Sequence, residues 1–296
     1  MSDSEQSCAS CTGKSHGGGG SKQELQDQLI ASTLEKIKYK IFVMSGKGGV
    51  GKSSVAVNLA AGLGALGYQV GLMDVDIHGP SVPSLLGLSG QLETDRGRLL
   101  QPKRYNETLG VVSMQSLLQN ENQAVLWRGP MKTTAIRQFI SDVQWGELDF
   151  LVIDSPPGTG DEPMTVLRTI PDALSVVVTT PQQVSLTDVR KALNFLHHAK
   201  ANILGLVENM SGVVCPHCAG QVDLFAKGGG RELAASESIP FLGEVPLDPA
   251  SVIAGDRGTP VVLMDEDLPS KQALLRVAAN VAEAASGSLE AAASHG

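Results

Sequence analysis

The residues Ile41-Phe42-Val43-Met44-Ser45-Gly46-Lys47-Gly48-Gly49-Val50-Gly51-Lys52-Ser53-Ser54 run from an apolar stretch through a glycine loop into a helical pattern. Ile41 to Met44 read as a short buried strand. Gly46 to Ser53 fit G-x-x-x-x-G-K-[ST] without a mismatch, and residues 54–66 place Val55, Leu59 and Leu63 at helical spacing. Four glycines without Cβ atoms let the backbone curl so that successive N–H groups point inward at phosphate oxygens. The following helix brings its positive end to the same spot. Lys52 then supplies a full charge for β- and γ-phosphates, and the Ser53 hydroxyl suits Mg²⁺. Strand, loop and helix together predict a nucleotide site built from Gly46 to Ser54.

Outward from this loop, the chain of 296 residues has room for one large α/β domain or two ordinary ones. Its 42% hydrophobic and 18% charged residues are ordinary for a globular enzyme. A formal charge of −8 argues against a nucleic-acid partner, which would call for a basic face. No apolar run approaches the roughly 20 residues that span a bilayer, and the acidic start is unlike a secretory signal. No membrane partner and a cytoplasmic location are therefore expected, with reduced thiols. The four cysteines form two pairs of equal spacing, Cys8/Cys11 and Cys215/Cys218. In a reducing compartment such C-x-x-C pairs point to metal or redox chemistry.

Residues 1–20 are rich in Ser, Gly and Cys and predict a flexible arm. Ser21 as N-cap with Glu24 three residues on predicts a helix to about Lys38, with Leu25, Leu29, Leu34 and Ile37 on one face. Gln69 to Met73 read as a second strand, and His78-Gly79-Pro80 with Ser81 as the turn into a short helix. Residues 92–104 suggest a polar hairpin, Val111 to Met114 a strand, and Met131 to Val143 a helix. Phe150 to Asp154 is a continuous apolar run ending in a carboxylate, as buried parallel strands read. Strand patterns at 174–178, 203–207 and 241–245 alternate with helical ones at 185–200, 228–237 and 270–286. The fold expected is α/β, one doubly wound, mostly parallel sheet over residues 21–286 with helices on both faces. Residues 287–296, Ala- and Ser-rich, are expected to be a disordered tail.

Phosphoryl transfer needs a metal anchor and a group that orients water. Asp154, at a strand end, is the natural carboxylate for Mg²⁺ or its water shell. The loop Ser155-Pro156-Pro157-Gly158-Thr159-Gly160-Asp161 suits sensing of a γ-phosphate. Asp74 and Asp76 alternate on the second strand, so both side chains are expected on the nucleotide side. Asp76 is assigned to the attacking water and Asp74 to the Mg²⁺ environment, with N-capping of the next segment as the alternative.

Lys47-Gly48-Gly49-Val50-Gly51-Lys52-Ser53 resembles the deviant Walker A loop of the SIMIBI class of P-loop NTPases, which includes the MinD and ParA ATPases. With Met73 to Ser81, Asp154 to Asp161, Glu208-Asn209-Met210-Ser211 and Cys215-Pro216-His217-Cys218, the chain resembles the Mrp/ApbC-type iron–sulfur cluster carriers over roughly residues 21–285. That resemblance implies an ATPase, slow and regulatory, that carries a [4Fe–4S] cluster to apo iron–sulfur proteins. It also implies a homodimer in which Lys47 reaches the partner's nucleotide, Asn209 contacts adenine, and the thiol pairs of two subunits share one cluster.

Cys215 and Cys218 offer two thiolates, whereas a [4Fe–4S] cluster or tetrahedral Zn²⁺ wants four ligands; a two-fold axis would supply the rest. Cys8 and Cys11 folding back to complete a zinc site is an open alternative, as is a redox dithiol. His217 is a further candidate ligand. The N-terminal pair is half of the four-cysteine site that some carriers of this superfamily have, so Cys8 and Cys11 are accessory thiols of open role. Two other functions compete. A MinD/ParA-type positioning ATPase with a structural zinc would want a basic amphipathic C-terminal helix, yet from Leu268 only Lys271 and Arg276 are basic. A reductase resembling that of nitrogenase would want a cysteine where Ser155 stands.

Overall fold

The computed structural model describes residues 22–76, 79–95, 99–117, 129–214, 220–222 and 228–293. Cys8 and Cys11 in the expected arm, Cys215 and Cys218 with His217 between them, and Ile77 and His78 lie outside those residues.

Among the described residues nine strands form one sheet: β1 (Ile37–Ser45), β2 (Val70–Asp74), β3 (Lys103–Arg104), β4 (Leu109–Ser113), β5 (Leu148–Asp154), β6 (Leu174–Thr179), β7 (Asn202–Val214), β8 (Gln221–Val222) and β9 (Phe241–Leu247). Their order is β3-β4-β2-β5-β1-β6-β7-β8, with β9 also pairing β7. Every pairing is parallel except β3 with β4 and β7 with β8. The helices are α1 (Lys22–Leu34), α2 (Lys52–Ala65), α3 (Val82–Leu85), α4 (Gly129–Ser141), α5 (Asp161–Thr169), α6 (Gln183–His198), α7 (Gly229–Ser236), α8 (Pro249–Asp256) and α9 (Pro269–Ala293).

Alternation along the buried strands divides the core into two layers. Ile41 and Val43 of β1 face a cluster with Val55 and Leu59 of α2 and Val277 and Val281 of α9. Phe42 and Met44 face the opposite cluster, with Ile136 and Phe139 of α4, Val166 of α5 and Val189 and Leu193 of α6. Helices thus cover both faces, and β1, first in sequence, lies in the middle of the sheet. The connection leaving β1 runs to β2 in one direction across the sheet and the one leaving its neighbour β5 runs to β6 in the other, which puts a crevice at the carboxyl ends of β1 and β5. The doubly wound, mostly parallel α/β architecture expected from the alternating pattern is the one observed.

Several local expectations differ. The first helix ends at Leu34, and Ile37 to Lys40 belong to β1, because Ile37 and Tyr39 pair with Leu148 and Phe150 in the sheet. Lys40, buried near the start of β1, is accommodated by an ion pair with Asp172 at 2.9 Å. The buried residue of α1 is Ile30, while Leu25 and Leu29 are exposed. The 92–104 hairpin is reduced to one antiparallel bridge, Thr94 with Leu100, while Lys103 and Arg104 pair with β4 instead. α5 begins at Asp161, directly after the loop, and α8 was not expected at all. α9 does not stop near Ser286 but continues to Ala293. Its Ala-rich end has high helix propensity, and Ser286 accepts a hydrogen bond from the Tyr39 hydroxyl at 3.2 Å, which ties the helix to β1.

Candidate functional site

The loop between β1 and α2 takes its shape from two glycines in the left-handed region, Gly49 at φ 80° and Gly51 at φ 77°. Gly51 has little room as well: a Cβ there would overlap the side-chain amide of Asn209. Asn209 Nδ2 donates to the carbonyl of Val50 at 2.9 Å, so β7 braces the loop from the side. The Ser45 hydroxyl donates to the Lys47 carbonyl at 2.9 Å, and the Gly158 N–H donates to the Ser45 carbonyl at the same distance. The loop after β5 is therefore tied to the start of the glycine loop. Together they wall a cavity of about 310 Å³ reached by Lys47, Lys52, Ser53, Asp76, Ser81 and Pro157.

At the floor of this site, β2 and β5 lie side by side in a register that makes Asp74 and Asp154 partners. Eighty residues apart in sequence, both carboxylates are fully buried. Asp154 Oδ1 accepts from Lys52 Nζ at 2.6 Å, and the same ammonium lies 3.1 Å from Ser53 Oγ. Burial raises the Asp154 pKa, while the Lys52 charge and hydrogen bonds from Lys52 and Ser53 pull it back. Its other oxygen, Oδ2, is buried without a hydrogen-bond partner. An orphaned carboxylate oxygen next to a serine hydroxyl, at the edge of a phosphate-sized cavity, fits a hard cation or one of its waters.

Asp74 is used differently from the expectation that it joins the metal environment. Its Oδ1 accepts the Asp76 N–H at 3.0 Å and its Oδ2 accepts the Ser113 hydroxyl at 2.9 Å. Burial, then repulsion from Asp154, push its pKa well above the usual carboxylate value. The β-strand ends at Asp74, so Asp76 follows the strand and does not alternate along it. Asp76, and not Asp74, lines the cavity. Asp74 positions the Asp76 backbone. Ser113, the residue that completes this arrangement, has no motif around it and only the sheet brings it there.

A second cavity of about 230 Å³ adjoins the first across Gly51 and Ser54. Asn209 and Met210 line it from within β7, and Val245, Pro246 and Leu247 from the carboxyl end of β9. Its walls, with apolar Val55, Leu85, Val245 and Leu274 beside the amides of Asn58 and Asn209, suit a flat heterocycle joined to the phosphates held next door. Sequence reading named Asn209 alone here. Met210 enters that reading only as a neighbour of Asn209, and Val245 to Leu247 are signalled only by their place at a strand end, a weak cue. Among the described residues no three His, Cys, Asp or Glu side chains are grouped to hold a metal. Lys47 stands at the cavity mouth, and its amino group has no hydrogen-bond or ion-pair partner among the described residues.

The family model that matches this architecture is described as ParA, NUBPL iron-transfer P-loop NTPase, and it covers residues 36–282. The chain belongs to that family of P-loop NTPases. A relative named iron-sulfur cluster carrier protein from Methanococcus maripaludis is 49% identical over 243 residues, 82% of this chain and 84% of that one. One named cytosolic Fe-S cluster assembly factor Nubp2 homolog, from Drosophila ananassae, is 49% identical over 239 residues, 79% of this chain and 90% of its own. Among solved structures, a nucleotide-binding protein from Archaeoglobus fulgidus in complex with ADP superposes with TM-score 0.71. It is 39% identical, over 79% of this chain and 92% of that one. MinD of Pyrococcus furiosus, 23% identical with TM-score 0.62 over 83% of this chain and 98% of its own, shares the fold. This member of the family thus has its glycine loop at the carboxyl end of a central parallel strand, where open α/β sheets bind ligands. Among its described residues no helix is long and apolar enough to cross a membrane.

Proposed function

We propose that this NTPase binds and slowly hydrolyses ATP in order to hold a [4Fe–4S] cluster at Cys215 and Cys218 and hand it to apo iron–sulfur proteins. The observation that carries this reading is the course of β7. The strand touches the P-loop through Asn209 and ends at Val214, one residue before Cys215-Pro216-His217-Cys218. The residue that braces the glycine loop and the residue that precedes the thiol pair in sequence therefore share one strand.

In this reading Lys52 meets the β- and γ-phosphates, and the N–H groups of Gly46 to Ser54 cradle them. Asp76, held by Asp74, orients the attacking water, and Asn209 meets adenine in the adjoining cavity. Ser53 and the free oxygen of Asp154 would hold Mg²⁺ or its water shell, which would supply charge neutralisation at the phosphates. Two thiolates per chain supply half of a tetrahedral or cubane ligand set, so the cluster is shared between two copies. Lys47, unpartnered at the cavity mouth, then reaches toward the other copy's nucleotide. Exposed apolar side chains near the helix starts around the same sheet edge, Val184, Met131, Val252 and Ile253, support that face as the homodimer contact. Cytoplasmic residence fits an exchange among reduced thiols.

Anaerobic iron and sulfide analysis with a visible spectrum tests this, together with light scattering for mass. The wild type should hold iron as a dimer, Cys215→Ala and Cys218→Ala should lose it while keeping the fold, and removal of residues 1–20 should leave it in place. Near-stoichiometric iron in either cysteine variant would refute the shared site. Zinc in place of iron, lost on removing residues 1–20, would favour a structural site that includes Cys8 and Cys11.

A further inference from the structure

The loop after β5, residues 155–160, is pinned at its start, where the Ser155 N–H donates to the Val43 carbonyl at 3.2 Å, and in its middle by the bond from Gly158 to Ser45. Pro156 and Pro157 stiffen the span between those two points, and Pro157 is the residue that reaches the nucleotide cavity. Gly158, at φ 87°, lets the backbone turn away from the cavity. The far end then runs through Gly160 straight into α5 at Asp161. Where the first turn of α5 sits therefore decides where that end of the loop sits.

That first turn is held by residues the nucleotide machinery above does not use. Glu162 is 8% exposed, and its Oε1 accepts from Lys132 Nζ of α4 at 2.5 Å, with both side chains largely buried. Its other oxygen lies against the loop, since a Cβ on Gly160 would sit 3.3 Å from Oε2. Beside this pair the hydroxyls of Thr133 and Thr165 meet at 3.3 Å. α4 is itself fixed in the core by Ile136, Phe139 and Ile140. A carboxylate in the first turn of α5 is what the helix dipole favours. Lys132, however, lies in the opening turn of α4, where the same dipole disfavours a cation. Helix stability does not explain Lys132, whereas its contact with Glu162 does. Neither side chain is among those that wall the nucleotide cavity, so the pair acts on it only through the loop.

Building on the ATP-hydrolysis reading above, we infer that Lys132 and Glu162 are positioning residues for turnover, which hold the loop 155–160 against the nucleotide cavity through the first turn of α5. Core-packed α4 fixes Lys132, Lys132 fixes Glu162, and Glu162 fixes Gly160 and the end of the loop that carries Pro157. With the pair intact, the loop meets the γ-phosphate already in place. Without it, each turnover has to order the loop first, which slows the chemical step but leaves the grip of the glycine loop on the nucleotide unchanged.

The test combines steady-state phosphate release with amide hydrogen exchange of the nucleotide-free protein, read by mass spectrometry over peptides that cover Ser155 and Gly158. Lys132→Met removes the ammonium, and Glu162→Gln removes the charge while keeping the shape. Each should lower kcat by about tenfold, leave KM for ATP within about twofold, and speed exchange of the loop amides by a comparable factor. Lys132→Arg keeps a cation and should restore both readouts toward the wild type. The double variant Lys132→Met/Glu162→Gln should be no slower than either single, because all three lose the same contact. Should Lys132→Met fail to fold, the near-isosteric Glu162→Gln still decides the comparison. A lowered melting temperature with kcat and loop exchange unchanged would make the pair merely structural and overturn the proposal. So would a raised KM at constant kcat, or losses that multiply in the double variant. A wild type that binds ATP without hydrolysing it refutes the hydrolysis reading, yet the exchange comparison still tests the pair, so the two failures are separable.

Discussion

Replacing Lys52 by Met keeps the length and the apolar stem of a buried side chain but removes the ammonium 2.6 Å from Asp154. Asp154 is then a carboxylate with no exposure and no counter-charge. Removing one partner of a buried ion pair costs about 3–5 kcal/mol. Asp154 can shed part of that cost by taking a proton, because burial already raises its pKa and Lys52 is what holds it down. Lys52→Met should therefore lose about 3 kcal/mol near neutral pH, and less as acid neutralises Asp154. The double variant Lys52→Met/Asp154→Asn has neither charge and should recover roughly 2 kcal/mol of the loss. Urea unfolding without nucleotide, followed by circular dichroism, measures this if the denaturant slope stays constant across the series. Nucleotide binding should be lost in the single and double variants alike, which separates the phosphate role of Lys52 from its structural one. A Lys52→Met protein as stable as the wild type, or a double variant no more stable than the single, would sink the reasoning.

The carboxylate assigned to water gives a kinetic prediction: Asp76→Asn should bind ATP with little change but release phosphate about 10²-fold more slowly or worse, and an unaltered rate removes Asp76 from hydrolysis. Gly51→Ala should weaken nucleotide binding more than Gly49→Ala, as measured by calorimetry. Both carry about 1–3 kcal/mol of left-handed backbone strain, but only at Gly51 does the new methyl overlap Asn209, while at Gly49 it meets open space. Equal losses would show that the brace from Asn209 does not matter. Asp74 sets a pH dependence. Its folded pKa lies above the unfolded value of 3.8, so the folded chain keeps a proton that the unfolded chain releases. Stability from this group falls as pH rises from the unfolded to the folded value and is flat above it. Asp74→Asn should flatten that part of the urea-midpoint profile, and an unchanged slope would place the titration elsewhere.

What the sequence determined by itself was whatever is local. The glycine loop could be read because its spacing is a backbone requirement: Gly49 and Gly51 do take left-handed angles, and strand and helix flank them as the apolar periods predict. The strand runs at 150–154 and 174–178 were legible because strands buried on both faces leave continuous apolar stretches. The order of those strands was not, because crossover packing sets it and no residue pattern records it. Register decided the carboxylates. Both Asp74 and Asp76 read as nucleotide-facing in sequence, and only the pairing of β2 with β5 and the nearby Ser113 made Asp74 a buried positioning group. The extent of α1 and α9 was decided by tertiary contacts too: Ile37 went to the sheet because Leu148 was there to pair with it, and α9 ran on past Ser286. The Lys132–Glu162 pair depends on two helix starts 30 residues apart meeting beside one loop, a long-range contact that no local pattern encodes.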